Sequence, residues 1–368
     1  MAKTKSEYTM LNNSCTTRIT PDDVVGSQPV SLNDVYAAQD IIRERLMPTP
    51  LISHSLLSTA LGCDAQVKLE NTQSIGSFKI RGGLNLLATM PAAERSRGLV
   101  TATRGNHGQS LAYAARAYDV PCTIFVPRGN NEDKNAAMTA FGASVVVEGH
   151  DFDSAWAASE RYAVMTGARL VHPAREPELV AGVATLALEM LEQTTRKFDA
   201  IFVPVGGGSI ASGTALVFKS LSPQTRIIGV QAENAPAQFH AWQTGASHPF
   251  VVTETVADGL AVRVPVDFTM NMMRSLVDEM LLVSEEEIYA AIRCYAGTVH
   301  QMAEGAGAVP LAGAMQIRES LAGQNIGMVL TGGNIEAHTL INALTDSTPA
   351  FRPQAMPMFP IGELDYGY

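Results

Sequence analysis

Cysteine is scarce in this chain, with only 4 among 368 residues. Cys15, Cys63, Cys122 and Cys294 lie far apart, so the sequence contains neither a CxxC pair nor the dense spacing of a disulfide framework. Cys122 and Cys294 fall within apolar or amphipathic segments, which is typical of buried thiols. This pattern argues for a reducing compartment.

Positive charge is also in short supply. The chain has 26 Lys and Arg against 36 Asp and Glu, a formal net charge of −10, and it contains no basic run. Because nucleic acids and anionic membranes favour basic patches, neither is an expected partner. No apolar run approaches the length of a membrane span, and no basic start followed by an apolar stretch indicates a signal peptide. We therefore expect a cytoplasmic protein.

The chain does have the material for a large core. A hydrophobic content of 46% with 17% charged residues is ordinary for a soluble globular enzyme, and 368 residues suffice for two compact lobes. Residues 1–30 show no clear periodicity and are expected to form a flexible N-terminal arm. Residues 346–368 are expected to form a C-terminal tail.

Strands and helices alternate from Gly98 onward, which is the pattern of a parallel α/β sheet. A first series predicts a small domain over residues 98–174. A second series, with apolar strands at 200–205, 227–230, 281–283 and 326–330, predicts a large domain built from residues 31–97 and 175–345. Ser31 has the character of a helix N-cap, and Ser284 with Glu287 has the spacing of a capping box. The predicted fold class is α/β, with two open parallel sheets and helices on both faces.

The most informative stretch is Ser77-Phe78-Lys79-Ile80-Arg81-Gly82-Gly83, in which a lysine stands between an aromatic and an aliphatic neighbour. A surface lysine needs no such surroundings. In a partly apolar pocket, burial disfavours the ammonium form, so the free amine becomes a nucleophile able to form a Schiff base.

A glycine-rich loop, Gly206-Gly207-Gly208-Ser209, follows an apolar strand and precedes a helix. In such a turn the backbone N–H groups converge on a phosphate and the helix dipole favours its charge. A tight turn without a ligand remains an open alternative. A dinucleotide site would need an acidic residue at the end of the next strand, where Gln231 stands. A reactive lysine together with a phosphate cradle suggests pyridoxal phosphate.

Three further segments have polar groups where ligands gather in α/β sheets. Residues 103–109, Thr-Arg-Gly-Asn-His-Gly-Gln, follow a strand and open a helix, so their N–H groups can hold a carboxylate and Asn106 can bond a ring oxygen. Thr331, at the end of the last strand, can meet a pyridine nitrogen. Glu304 stands among small residues as a site wall or at a close helix contact. Each segment alone also suits an ordinary helix cap or packing contact, with His107 satisfied within the fold.

Together, and in this order, the segments resemble the fold-type II pyridoxal phosphate enzymes, specifically the serine/threonine dehydratase and serine racemase family. The resemblance covers residues 30 to 345 and implies the tryptophan synthase β-like fold. Its motifs are Gly76-Ser77-Phe78-Lys79-Ile80-Arg81-Gly82, Gly105-Asn106-His107-Gly108-Gln109, Gly206-Gly207-Gly208-Ser209, Ala303-Glu304-Gly305-Ala306-Gly307-Ala308 and Thr331-Gly332-Gly333-Asn334.

The resemblance also implies roles for individual residues. Lys79 would be the Schiff-base lysine and the base at Cα, with Phe78 against the cofactor ring. Asn106 would bond the ring hydroxyl, and Thr331 would face the pyridine nitrogen. The phosphate would be held by Gly206, Gly207, Gly208 and Ser209. The substrate would be bound by Thr103, Arg104, Gly105 and His107. A homodimer or higher homo-oligomer is expected on the same ground.

Two departures from the family pattern bear on function. Arg104 stands where the family commonly has a serine, which in the racemases is the second acid/base. Because a guanidinium stays protonated, we expect little racemase activity. Arg104 can instead pair with a second substrate carboxylate, or with an acid of the protein. Gln231 and Ala237 stand where cation-binding members have Glu and Asp, so no metal is expected.

These observations predict a PLP-dependent ammonia-lyase. It would convert a β-hydroxy amino acid, by default L-threonine or L-serine, to a 2-oxo acid and ammonia through Cα deprotonation and β-elimination. Elimination or β-replacement on another β-substituted amino acid, such as 3-hydroxyaspartate, remains an alternative. An amino-acid racemase and a PLP-binding protein without turnover are further alternatives.

Overall fold

The computed structural model describes residues 21–251 and 254–345. Its first part, up to the end of the smaller sheet, contains α1 (Pro21–Gly26), α2 (Leu32–Arg43), β1 (Leu51–Ser53), α3 (Ser55–Leu61), β2 (Asp64–Leu69), α4 (Lys79–Thr89), α5 (Ala92–Arg95), β3 (Leu99–Ala102), α6 (Asn106–Ala117), β4 (Cys122–Val126), α7 (Glu132–Ala140), β5 (Ser144–Val147), α8 (Phe152–Thr166) and β6 (Arg169–Leu170).

The second part continues with α9 (Pro177–Gln193), β7 (Ala200–Pro204), α10 (Ser209–Leu221), β8 (Arg226–Ala232), α11 (Ala237–Thr244), α12 (Asp267–Leu276), β9 (Glu279–Val283), α13 (Glu285–Thr298), α14 (Gly305–Gln316), β10 (Asn325–Leu330) and α15 (Ala337–Thr345). Short 3₁₀ turns occur at Glu70–Thr72, Asp258–Leu260 and Arg318–Leu321. None of the described helices is long and apolar enough to span a bilayer.

The larger sheet has six strands in the order β1-β2-β10-β7-β8-β9. Its neighbours are parallel, except that β1 runs antiparallel to β2. Alternate residues of one strand enter different cores: Phe202 belongs to a core that includes α14 residues, and Ile201 to a core that includes α9 and α10 residues. Helices therefore cover both faces, which explains the nearly continuous apolar strands.

The smaller sheet has four parallel strands in the order β5-β4-β3-β6. It too is covered on both sides, because Leu99 and Val100 enter separate cores. The α/β class and the two sheets with helices on both faces are confirmed. Strands β1 and β2 were not predicted, and the antiparallel β1 is an exception to the expected parallel order.

Local sequence signals set several helix starts. Ser31 caps α2 as predicted, in a capping box with Asp34 that was not predicted. Ser284 and Glu287 form the predicted capping box at the start of α13. Within residues 1–30, which are expected to form a flexible arm, residues 21–26 form α1. Val24 and Val25 pack there against a buried core, and this contact orders the segment. Residues 1–20 and 346–368 lie outside the described residues, so the structure does not test the rest of the arm or the tail.

Candidate active site

One cavity of about 890 Å³ lies between the two sheets and brings the predicted site residues together. The loops after β3, β7 and β10 contribute to its wall, because the carboxyl ends of parallel strands are where α/β sheets form ligand sites. All of the predicted residues line it: Phe78, Lys79, Thr103, Arg104, Gly105, Asn106, His107, Gly206, Gly207, Gly208, Ser209 and Thr331.

Lys79 is the first residue of α4 and projects Nζ into this cavity. The Lys79 Nζ lies 3.5 Å from Ser209 Oγ and 5.0 Å from the centre of the Phe78 ring. Burial lowers the pKa of Lys79 from 10.5 to about 8, although the Glu304 carboxylate works against that shift. The nucleophilic free amine of Lys79 is therefore much more populated near neutral pH than that of an ordinary surface lysine.

The turn that carries Lys79 is bonded to the end of β10. The Phe78 N–H donates to the Thr331 carbonyl over 2.9 Å, and the Gly333 N–H donates to the Gly76 carbonyl over 3.0 Å. Thr331 itself is only 2% exposed. Segments separated by more than two hundred residues in the sequence thus form one wall.

A buried ionic cluster holds α4 in place from behind. Arg81, two residues after Lys79, donates to both carboxylate oxygens of Glu70 and of Glu189 at 2.7–2.8 Å. Lys68 Nζ donates to Glu189 over 2.6 Å. Burial opposes these charges, but the Arg81 guanidinium outweighs it at Glu70 and holds the pKa of that carboxyl below its ordinary value. Two cations therefore balance two anions, and the cluster ties α4 to β2 and α9.

The loop before α10 has the properties of an anion cradle. The backbone N–H groups of Gly206, Gly207 and Gly208 have no hydrogen-bond partner among the described residues, although the loop is largely buried. Gly208 has φ +91°, and a Cβ there would lie 2.8 Å from Thr269 Oγ1. Since α10 begins at Ser209, the helix dipole also favours negative charge at this point. The loop fits the phosphate of pyridoxal phosphate.

The loop from β3 to α6 forms the opposite wall. Thr103 Oγ1 accepts a hydrogen bond from the Gly105 N–H over 3.1 Å, which holds the turn closed. His107 is buried: one ring nitrogen bonds the Val171 carbonyl, and Nε2 has no partner among the described residues. Burial and the nearby Lys79 keep the pKa of His107 well below 6.5, so the imidazole is neutral and Nε2 is a free acceptor.

Arg104 lies in the same loop, with an exposed side chain at the cavity. Within the described part of the chain it forms no ion pair. The acid pairing weighed as an alternative therefore does not occur there. Two other cations of the cavity wall are paired: Lys134 with Asp258 at 2.5 Å, and Arg263 with Asp153 at 3.2 Å. Arg175 also lines the cavity and, like Arg104, is exposed and forms no ion pair within the described residues.

Asn106, the first residue of α6, is part of a chain of side-chain hydrogen bonds. Its Nδ2 donates to Glu304 Oε1 over 2.8 Å, and its Oδ1 accepts from Asn334 Nδ2 over 2.8 Å. Burial and the nearby Asp258 raise the pKa of Glu304 from 4.5 to about 7. Glu304 lines the cavity, and its small neighbours also pack closely, because a Cβ at Gly305 would lie 2.3 Å from the Val256 carbonyl oxygen. Both alternatives left open by the sequence therefore apply.

Several cavity residues were not singled out from the sequence. Among them, Lys134 reaches across the cavity to Asp258, and Asn131 Nδ2 similarly donates to Glu336 Oε1 over 2.5 Å. Asn131 and Lys134 stand in a polar segment that resembles any solvated surface. Only the tertiary fold shows that they face these partners, so no local signal could have found them.

The positions considered for a cation hold no ligand set. Gln231 is buried, and its Oε1 accepts from the Phe239 N–H over 2.9 Å. Across residues 21–251 and 254–345, no group of three or more His, Cys, Asp or Glu side chains is placed to hold a metal ion.

Comparison with known families and proteins agrees with this geometry. The model of the family described as pyridoxal-phosphate dependent enzyme matches residues 42–332. The chain is 38% identical to the L-threonine ammonia-lyase of Thermotoga maritima over 84% of this chain and 77% of that protein. It is 32% identical to the L-threo-3-hydroxyaspartate ammonia-lyase of Saccharomyces cerevisiae over 85% of this chain and 97% of that protein.

Solved structures with a similar fold include a threonine deaminase and a serine racemase. Threonine deaminase isoform 2 of Solanum lycopersicum superposes with a TM-score of 0.81 at 29% identity, covering 93% of this chain and 98% of that one. Maize serine racemase superposes with a TM-score of 0.81 at 30% identity, covering 86% and 97%.

Proposed function

The chain belongs to the family of pyridoxal-phosphate dependent enzymes, and from this membership we propose that it is an ammonia-lyase acting on β-hydroxy amino acids. It converts the substrate to a 2-oxo acid and ammonia, with L-threonine or L-serine as the default substrate. The names of the relatives support this reaction class, since they include L-threonine ammonia-lyase at 38% identity. The observation that carries it is Lys79, a half-buried amine whose Nζ lies 3.5 Å from Ser209 Oγ, at the end of the glycine loop.

Different cavity residues would hold different parts of the cofactor. Lys79 Nζ would anchor it covalently, while the glycine N–H groups and the Ser209 hydroxyl would hold its phosphate. Asn106 would donate to the ring oxygen, and Phe78 would pack against the ring. The Thr331 hydroxyl would be a neutral partner for the ring nitrogen.

Bound pyridoxal phosphate supplies an electron sink for the carbanion that forms at Cα. The residues of the chain do the rest. N–H groups of the loop after β3, at the start of α6, orient the substrate carboxylate. Once the substrate amine has displaced Lys79, the freed amine would take the Cα proton at Nζ, for which a pKa lowered to about 8 is well matched. The β-hydroxyl would take up a proton and leave as water. The resulting enamine would tautomerise to an imine, which water hydrolyses to the 2-oxo acid and ammonia.

A product screen of the purified holoenzyme tests this function. L-Serine, L-threonine, both 3-hydroxyaspartate diastereomers and phenylserine would each be added, and 2-oxo acid release followed. We expect at least one of them to yield a 2-oxo acid, and we expect Lys79→Ala to lower that rate by at least about 10³-fold, because anchor and base are lost together.

Two outcomes would count against the proposal. If substrates changed the cofactor absorbance without releasing a 2-oxo acid, β-replacement would be favoured, and added thiols or amines would then reveal it. If no amino acid changed the absorbance at all, the chain would be a cofactor-binding protein without turnover.

A second candidate substrate is a β-hydroxy amino acid with a second carboxylate. Arg104 favours it, because this arginine lies at the cavity with no ion pair in the described residues. A guanidinium binds a carboxylate through two parallel hydrogen bonds. The relative named L-threo-3-hydroxyaspartate ammonia-lyase adds support.

We also propose a cytoplasmic homo-oligomer, most simply a dimer, whose small domain is residues 98–174 and whose large domain is residues 31–97 and 175–345. The buried free thiols of Cys63, Cys122 and Cys294 suit a reducing compartment. Sedimentation equilibrium of the holoenzyme tests the assembly, and a monomer at micromolar concentration would contradict it.

A further inference from the structure

The hydrogen-bond chain around Asn106 has a direction that can be read from its partners. Asn334 Nδ2 donates to the Ile75 carbonyl over 2.9 Å and to Asn106 Oδ1 over 2.8 Å. A backbone carbonyl can only accept, so the Asn334 amide group must face Ile75 with its nitrogen. Both hydrogens of that nitrogen are then used.

The orientation passes from Asn334 to Asn106. Because Asn334 Nδ2 is a donor, Asn106 must turn its Oδ1 toward Asn334. Asn106 Nδ2 then points to Glu304, whose Oε1 accepts over 2.8 Å. The second hydrogen of Asn106 Nδ2 has no partner among the described residues, and Asn106 lines the cavity.

Two glycines leave space for the side chains of this hydrogen-bonded series, one near Asn334 and one near Glu304. A Cβ at Gly76, where φ is +66°, would lie 2.6 Å from Asn334 Oδ1. A Cβ at Gly332 would lie 2.3 Å from Glu304 Oε1. Any larger residue at either position would displace one of the polar groups. Glycine at these two positions therefore leaves room for the hydrogen-bonded series that runs from Ile75 through Asn334 and Asn106 to Glu304.

We propose that Asn334 is a positioning residue, which fixes the Asn106 amide so that an N–H donor, and not the carbonyl oxygen, faces the ring oxygen of pyridoxal phosphate. The inference rests on the proposed contact between Asn106 and the cofactor. A ring hydroxyl that has lost its proton is an acceptor, so a flipped Asn106 would oppose it with a second acceptor. Asn334 prevents that flip without touching the cofactor's ring oxygen itself.

Cofactor binding by the apo-protein tests the proposal without requiring turnover. The equilibrium dissociation constant for pyridoxal phosphate would be measured by absorbance titration for wild type, Asn334→Asp, Asn106→Ala and the double variant. Asn334→Asp keeps the shape but removes the two donated hydrogen bonds. We expect it to raise the dissociation constant about tenfold and to shift the absorbance maximum of the bound cofactor.

The double variant separates positioning from a merely structural role. If Asn334 acts through Asn106, adding Asn334→Asp to Asn106→Ala causes no further loss of affinity. Additive losses, or a wild-type dissociation constant and spectrum for Asn334→Asp, would overturn the inference. Should thermal unfolding show that Asn334→Asp does not fold, Asn334→Ala carries the same comparison without the added charge.

A matched control is available in Asn71. Its Nδ2 also donates two hydrogen bonds, to Gln301 Oε1 over 3.0 Å and to the Met302 carbonyl over 3.2 Å, but it does not line the cavity. Asn71→Asp should lower stability and leave the dissociation constant unchanged. An equal loss of cofactor affinity in this control would assign the Asn334 effect to general destabilisation. None of these experiments measures 2-oxo acid release. A failure of the proposed lyase function would therefore appear only in the product screen and would not be confused with a failure of this inference.

Discussion

Arg104 is the residue that most directly links this sequence to a choice of substrate. Replacing it by serine, the residue common at this position in the resembled family, removes a fixed positive charge from the cavity wall. Hydrogen bonds to charged groups contribute about 1.5–3 kcal/mol. If the second carboxylate is its ligand, Arg104→Ser should lower kcat/KM for 3-hydroxyaspartate by about 10–100-fold and change that for L-threonine by less than about threefold.

Steady-state kinetics with both substrates measures this selectivity. Arg104→Lys serves as the control, because it keeps the charge but lacks the two-pronged geometry, and an intermediate loss is expected. Equal losses on both substrates would show that Arg104 supports the site in general and does not read a second carboxylate.

Glu304 makes stability depend on pH in an unusual direction. Its pKa rises from 4.5 to about 7 in the folded protein, so folding holds a proton that the unfolded chain has lost. Stability from this group is full below pH 4.5 and falls as pH rises toward 7. Glu304→Gln cannot ionise, so its unfolding free energy relative to wild type should increase by up to about 3 kcal/mol between pH 4.5 and pH 8.

Urea unfolding of the two apo-proteins at several pH values checks the prediction. The difference between variant and wild type should grow between pH 4.5 and 7 and be level above that range. A pH-independent difference would mean that Glu304 ionises in the folded protein with an ordinary pKa.

At the scale of elements, the position of α4 depends on charges and not only on apolar packing. Arg81 has no exposed surface and contacts both Glu70 and Glu189. Removing one partner of a buried ion pair leaves an uncompensated charge and costs about 3–5 kcal/mol. Arg81→Met should therefore destabilise the protein by about that amount, as measured by urea unfolding.

An exposed ion pair provides the comparison for Arg81. Arg43 and Glu192 lie 2.7 Å apart with side chains 47% and 51% exposed. Arg43→Met should cost less than about 1 kcal/mol, because solvent screens that pair. If both variants lost the same stability, the buried cluster would not be what holds α4.

The elements also show what local sequence can predict. Ser284 and Glu287 stand three residues apart and form the capping box that their spacing indicates, because a cap needs only neighbouring residues. Strands β1 and β2 were not predicted from the sequence. Lys68, which is buried in β2 by its contact with Glu189, breaks the apolar pattern by which buried strands are recognised.

At the scale of the whole molecule, an ion pair across the cavity joins the part of the chain with the smaller sheet to the part with the larger sheet. Lys134 of α7 joins Asp258, on the side of the larger sheet, at 2.5 Å. Lys134→Met keeps most of the aliphatic chain, which packs against Gly105, but removes the charge. We expect KM for the amino acid to rise several-fold with a smaller change in kcat, because the two walls are no longer tied. Asp258→Asn should have the same effect from the other wall.

Arg161→Met is the control for this prediction. The Arg161–Glu148 ion pair has a length of 2.7 Å but lies within the smaller-sheet part of the chain and does not cross the cavity. Its loss should leave KM unchanged. A normal KM in both Lys134→Met and Asp258→Asn would show that the ion pair does not control the cavity.

The sequence by itself determined the fold class and singled out Lys79 and the glycine loop 206–208, which the structure places in one cavity. Each of these depends on a short segment: alternating strands and helices, an amine among apolar neighbours, and glycines between strand and helix. Contacts such as Asn334 with Asn106, or Lys134 with Asp258, join residues more than a hundred positions apart. Only the tertiary structure decided these contacts, because hydrogen bonds and ion pairs depend on distances in space that no local pattern encodes.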